Sequence, residues 1–257
     1  MSSTSEQFRQ LHYSNHLLIL PNAWDAKSAT LFQEKQFAAV ATSSAAVAES
    51  LGYSDGEGMP WKEYLAIIKR ILAVVSIPVT VDIEMGYAGT KEGIAQHVLQ
   101  LAALGVAGVN LEDSTLQTGK RLLQPAAEFA ATIAYIKEAL RAANHTLFLN
   151  IRCDTYLLNL PDKQQETRLR LPLFEAAGAD GIFLPCITEE NDIAEAVQHT
   201  QLPLNVMCMP GLPYFDRLEA LGVKRASMGH FLFQKTYNTA AALVADVAGN
   251  RHFTAIL

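Results

Sequence analysis

Short apolar runs recur along the chain: LLILP (17–21), AAVAT (38–42), PVTVDIE (78–84), GVNLED (108–113), LFLNIR (147–152), GIFLPC (181–186), PLNVMC (203–208) and RASMG (225–229). They are apolar nearly throughout rather than alternating, the pattern of strands buried on both faces of a parallel sheet. Between most of them lie longer segments with apolar residues at helical spacing, as in KEYLAIIKRILAVV (62–75) and GIAQHVLQLAAL (93–104), which predicts helices. Gly105, Gly178 and Gly222 each stand just before a following strand, where a glycine stops a helix. About eight strands alternating with helices in 257 residues predict an α/β fold, a (β/α)8 TIM-type barrel. An open doubly wound sheet is the second arrangement this pattern permits. No GxGxxG follows the first strand, which argues against a dinucleotide site. No low-complexity linker divides the chain, so residues 1–257 are expected to form a single α/β-barrel domain.

Composition narrows the partners. Half of the residues are hydrophobic, enough for one large core, and a net charge of −6 gives no electrostatic support for nucleic-acid binding. Cys153, Cys186 and Cys208 form neither a CxxC pattern nor a disulfide framework, so a reducing cytoplasm is expected. The polar N-terminus MSSTSEQFRQLHYSNH lacks the apolar region of a signal peptide. No apolar run reaches the roughly 18 residues of a membrane helix. A small-molecule partner remains.

In barrels the chemistry gathers at the carboxyl ends of the strands. Those ends carry Ser43-Ser44, Asp82 and Glu84, Glu112 and Asp113, Arg152 and Cys186, with Asn205 inside the seventh strand. The stretch VTVDIEMGY (79–87) is the sharpest. Alternation along a strand puts Asp82 and Glu84 on one face. Two like charges about 7 Å apart repel by roughly 2 kcal/mol at an effective dielectric of 20. Either water or a cation must offset that. Acids converging on one mouth without soft ligands suit Mg²⁺, and an arginine opposite them suits a substrate carboxylate held bidentately. The absence of a strand-end lysine argues against a Schiff-base aldolase, and the scattered histidines against a zinc-dependent one. Each residue also has a plainer reading. The acids cap helices or face solvent, Arg152 pairs with Asp154, and Cys186 and Cys208 act as small hydrophobes.

Six segments, PNAWDAKSA (21–29), ATSSAAVAESLGYSDGEGM (41–59), VTVDIEMGYAG (79–89), GVAGVNLEDS (105–114), NIRCDTYL (150–157) and GADGIFLP (178–185), together resemble the phosphoenolpyruvate mutase/isocitrate lyase superfamily. The resemblance runs in order from about residue 20 to residue 230. It implies an α/β barrel, often tetrameric, whose C-terminal helix is exchanged between subunits. It also implies Mg²⁺ and a small 2-oxo or 2-hydroxy acid cleaved through a pyruvate-like enolate. By position, Ser43, Ser44 and Ala45 match the turn whose backbone N–H groups hold the substrate carboxylate, and Asp82 matches the direct metal ligand. Asp55, Glu84 and Glu112 match acids that hold metal-bound waters, Arg152 matches the substrate-binding arginine, and Asn205 matches a polar residue of the seventh strand. Catalytic roles are thereby implied for Arg152, Glu112 and Asp55, on top of substrate binding by Arg152.

The departures are specific. Lyases of the superfamily carry a K-[KR]-C-G-H loop after the fourth strand, where this chain reads STLQTGKRLLQP (114–125). Cys186 stands where lyases carry a glutamate, and Glu84 replaces an aspartate. The resemblance therefore implies a Mg²⁺-dependent lyase of the phosphonomutase-like branch that cleaves a C–C bond, as a homo-oligomer (dimer or tetramer), without identifying its acid/base. Phosphonopyruvate-type C–P chemistry and oxaloacetate-type decarboxylation are the near alternatives. A catalytically silent carboxylate-binding relative is the distant one.

Overall fold

The computed structural model describes residues 3–257. Eleven strands are formed among them: β1 Leu18–Leu20, β2 Asn22–Ala23, β3 Val40–Thr42, β4 Val79–Asp82, β5 Gly108–Glu112, β6 Ser114–Gln117, β7 Lys120–Leu123, β8 Phe148–Arg152, β9 Gly181–Phe183, β10 Leu204–Met207 and β11 Arg225–Ser227. Ten helices accompany them: α1 Thr4–His12, α2 Ala26–Glu34, α3 Ser44–Ser50, α4 Trp61–Leu72, α5 Lys91–Ala103, α6 Ala126–Ala142, α7 Lys163–Ala176, α8 Glu190–Gln198, α9 Phe215–Ala220 and α10 Phe231–Asn250.

Nine strands make one parallel sheet in the order β1-β11-β10-β9-β8-β5-β4-β3-β2. β1 and β2 are halves of the first barrel strand on either side of Pro21. β1 pairs with β11 and β2 with β3, which closes the sheet into a TIM-type barrel. The eight apolar runs of the sequence are the eight strand positions. β6 and β7 lie outside the barrel as an antiparallel hairpin that follows β5.

Two hydrophobic zones hold the barrel. The larger lies between the strands and the surrounding helices. The smaller fills the lower interior, where Leu18, Leu20, Ala39, Ala41, Ala107 and Phe148 surround Phe8. Alanines at positions 39, 41 and 107 leave room for a ring from α1. A Cβ at Gly108, the first residue of β5, would stand 2.9 Å from the Phe8 ring. The helices start and stop as their sequences dictate. Asp25 accepts from the Ser28 N–H at 2.7 Å while the Ser28 hydroxyl accepts from the Asp25 N–H at 3.1 Å, a capping box at the start of α2. Gly178 ends α7 with φ +99°, a conformation cheap only for glycine.

α10 is the exception to compact packing. It has 20 residues, of which only Phe233 is buried. Tyr237, Leu243 and Val244 are exposed on it. No helix among the described residues is long and apolar enough to cross a membrane.

Candidate active site

The carboxyl ends of the strands surround a cavity of about 400 Å3, lined by Ser43, Ser44, Ala45, Asp55, Asp82, Asn110, Arg121, Arg152 and His230 among others. Asp82 is the last residue of β4, and its place is fixed from behind. Its backbone N–H donates to the Thr42 hydroxyl at 3.0 Å, and the buried Tyr64 hydroxyl donates to its carbonyl at 2.8 Å. Its carboxylate accepts from the Ser44 hydroxyl at 2.9 Å. Burial raises the Asp82 pKa and nearby Asp55 adds to the rise, while Arg152 and Ser44 pull it down. Ser43 caps α3 by accepting from the Ala46 N–H at 3.3 Å, so the first turn of that helix faces the cavity.

Glu84 is held differently from what strand alternation predicts. β4 stops at Asp82, and Glu84 sits in a left-handed turn with φ +50°. The period-two rule does not reach it. Its carboxylate accepts from the Tyr87 hydroxyl at 2.7 Å and from the Glu57 N–H at 2.8 Å, and it does not line the cavity. Burial and then Asp55 push its pKa up to about 7, against the pull of the Tyr87 hydrogen bond.

Glu112 is likewise behind the wall. It is 1 % exposed and forms ion pairs with Arg121 and Arg152. The Arg152 contact, 2.9 Å to Oε2, is an ion pair without hydrogen-bond alignment. Arg152 also donates to the buried Asp154 at 2.6 Å, so both the plain and the functional expectation describe part of its setting: it is paired, and it lines the cavity. Asp113 does not cap a helix; it accepts from the Asp154 N–H at 2.9 Å and pairs with Arg170 at 3.0 Å. Asn205 is buried one layer below the cavity and does not line it, and neither does Cys186, whose thiol is pushed up in pKa by burial.

Three cavity residues are not apparent from the chain alone. Arg121 arrives from β7, reaching Glu112, the Ser114 hydroxyl at 2.9 Å and Asp154 at 3.6 Å. Asn110 comes from the middle of an apolar strand. His230 follows β11 at the start of α10, with its ring stacked on Phe231. The K-R pair in STLQTGKRLLQP is the only trace of the first, and nothing in the pattern marks the other two.

Among the described residues no cluster of three or more His, Cys, Asp or Glu side chains is arranged to hold a metal ion. The carboxylates that face the cavity are Asp82 and Asp55, with the Ser44 hydroxyl beside them, and His230 is a single imidazole in the lining. That set fits Mg²⁺, which takes one or two carboxylates and keeps several waters. It does not fit an ion that requires three soft or nitrogen ligands. Glu112, already paired with two guanidiniums, is the least suited of the predicted acids to hold a metal-bound water.

The family signature of Phosphoenolpyruvate phosphomutase matches residues 8–248. The chain belongs to this family. It is 36 % identical over 222 residues to an uncharacterised protein of Mycobacterium tuberculosis, covering 86 % of this chain and 81 % of the relative. It is 28 % identical to the 2-methylisocitrate lyase of Bacillus subtilis, over 84 % of this chain and 72 % of that enzyme. A crystal structure of a candidate phosphonomutase from Burkholderia cenocepacia J2315 superposes with a TM-score of 0.89 at 34 % identity, covering 95 % of this chain and all of that one. Membership makes the chain an enzyme of the lyase or phosphonomutase kind.

Proposed function

We propose that the protein is a Mg²⁺-dependent lyase that cleaves a C–C bond of a small 2-oxo or 2-hydroxy carboxylic acid, leaving a pyruvate-type enolate. The observation that carries this reading is the meeting of Ser44, Asp82 and Arg152 at one cavity, in a chain of this family. Asp82 would hold Mg²⁺, with Asp55 orienting its waters; Glu84, expected to share that role, stands behind the wall. When bound, the ion supplies positive charge where the enolate oxygen gains negative charge.

The chain's own groups do the rest. The N–H groups at the start of α3 and the Arg152 guanidinium receive the substrate carboxylates. In a decarboxylation the C3–C4 bond breaks, its electron pair passes into the enolate, and carbon dioxide leaves. The enolate carbon must then take a proton. His230 is an imidazole in the cavity lining, the side-chain type most often used for general acid–base catalysis. It serves in this reading as the proton donor that the hairpin lacks. Because β6–β7 supplies only hydroxyls, an amide, a lysine and an arginine, the protein is not an efficient isocitrate or methylisocitrate lyase.

The chain acts in this reading as one barrel domain in a homo-oligomer. α10 leaves the barrel, while an apolar cleft of about 440 Å3 lined by Ile19, Met209, Leu212, Phe215 and Met228 lies beside β1 and β11. In this reading α10 of a second copy occupies that cleft. The three free cysteines suit a reducing compartment.

The test is a panel of small acids, namely oxaloacetate, phosphonopyruvate, isocitrate and methylisocitrate, incubated with Mg²⁺ while pyruvate and glyoxylate are detected. Turnover of a pyruvate-yielding acid is expected. Phosphonopyruvate as the preferred substrate would move the activity to C–P chemistry, and tight binding without turnover would make the chain a silent relative.

A further inference from the structure

Arg225, on β11, is fully buried inside the barrel. No carboxylate among the described residues lies within ion-pair distance of it. Among the described residues its side chain makes one hydrogen bond, from Nη2 to Asn110 Oδ1 at 3.2 Å, and that oxygen already accepts from Asn150 at 2.9 Å. Its Nε and Nη1 have no partner. Asn205 is its register neighbour on β10, so the two side chains point to the same side of the sheet, inward. Asn205 is buried as well, and neither its amide nitrogen nor its amide oxygen has a partner. Below them the Phe8 ring stands 5.9 Å from the guanidinium. The nearby His12 ring, held neutral by burial with its pKa lowered to about 3, brings no countercharge.

Buried polar groups in folded proteins are paired, and buried charges are paired or neutralised. A cluster of unspent N–H donors around an uncompensated guanidinium has the chemistry of an anion site. Ordered water would satisfy the donors but would leave the charge unbalanced. Asp82, which faces the cavity above, acts on Arg225 through its charge alone and forms no ion pair with it. We infer that the barrel interior beneath the cavity holds a small monovalent anion of the halide class, bound by Arg225 and Asn205. Asn110 lines the cavity and touches Arg225, so the site lies one side chain below the cavity floor. The inference is independent of the reaction assigned above, because it uses no substrate and no metal.

Crystals of the wild-type protein soaked in sodium bromide, with data collected at the bromine absorption edge, test it directly. An anomalous peak within hydrogen-bonding reach of Arg225 Nη1 and Asn205 Nδ2 is expected. A site that refines as water with no anomalous signal would overturn the inference. Solution stability gives the second arm, with protein dialysed free of halide and compared in sodium chloride and sodium gluconate at equal ionic strength. Chloride should raise the wild-type Tm in a saturable way, by about 2–4 °C when it exceeds its Kd about fivefold. Arg225→Met should abolish the difference, and if that variant does not fold, Asn205→Leu takes its place. A crystal peak without any chloride dependence in solution would mark an adventitious halide only and would also overturn the inference.

Discussion

Under the proposed function Arg152 carries the substrate half of the site. Its planar fork is oriented by Asp154 at 2.6 Å and by Glu112, so its remaining N–H groups are aimed rather than free. Arg152→Lys keeps the charge and loses that geometry. It should weaken binding of oxalate by about 1–3 kcal/mol in calorimetry; unchanged affinity would remove Arg152 from substrate binding. His12 governs a different property. Burial first, and then the Arg225 charge, depress its pKa to about 3. A base with a depressed folded pKa contributes stability above its unfolded value near 6.5 and loses it as the pH falls toward the folded value. His12→Leu should therefore flatten the loss of stability between about pH 6.5 and pH 3 in urea titrations, an effect bounded at roughly 5 kcal/mol. An unchanged acid slope would show that His12 is protonated in the folded state. Asp82, Arg152 and the Ser43-Ser44 turn were legible from strand-end position. Asn110 was not, because a lone asparagine in an apolar strand has no periodic signature.

The β6–β7 hairpin is the element whose chemistry the sequence hides. STLQTGKRLLQP reads as a polar loop, yet it pairs as Ser114–Leu123 and Thr115–Leu122. That register aims Arg121 inward at Glu112, and Leu116 packs so close to Gly56 that a Cβ there would lie 2.4 Å from its Cδ1. The hairpin is thus tied both to the buried acid behind the wall and to the segment that carries Asp55. Arg121→Met should loosen it, with faster amide hydrogen exchange over residues 115–122 and a lower kcat/KM. Exchange no faster than in the wild type would show that the ion pair does not hold the hairpin. Glu84 was misplaced for a related reason. Alternation predicts faces only while a strand lasts, and β4 ends two residues too early.

Eight apolar runs with intervening helices predict parallel strands covered on both faces, and the pairing of β1 with β11 and β2 with β3 closes them into the barrel rather than an open sheet. The ring of Phe8 inside the barrel and the break at Pro21 were not legible, since both depend on how distant strands meet. The exposure of α10 belongs to the molecule as a whole. Tyr237 and Val244 are apolar surface that an isolated barrel leaves in water. If a second copy covers them, the double substitution Tyr237→Glu and Val244→Glu should shift the protein to monomer in light scattering. An unchanged mass would place the oligomer contact elsewhere.

The central claim is that this site stabilises a pyruvate-type enolate, and it can be measured without knowing the substrate. Pyruvate in D2O with Mg²⁺ and the purified protein should exchange its methyl protons for deuterium, followed by proton NMR. The account predicts exchange that requires Mg²⁺ and falls by about 100-fold or more in Asp82→Ala. Wild-type exchange no faster than in buffer, with pyruvate binding intact, would contradict it.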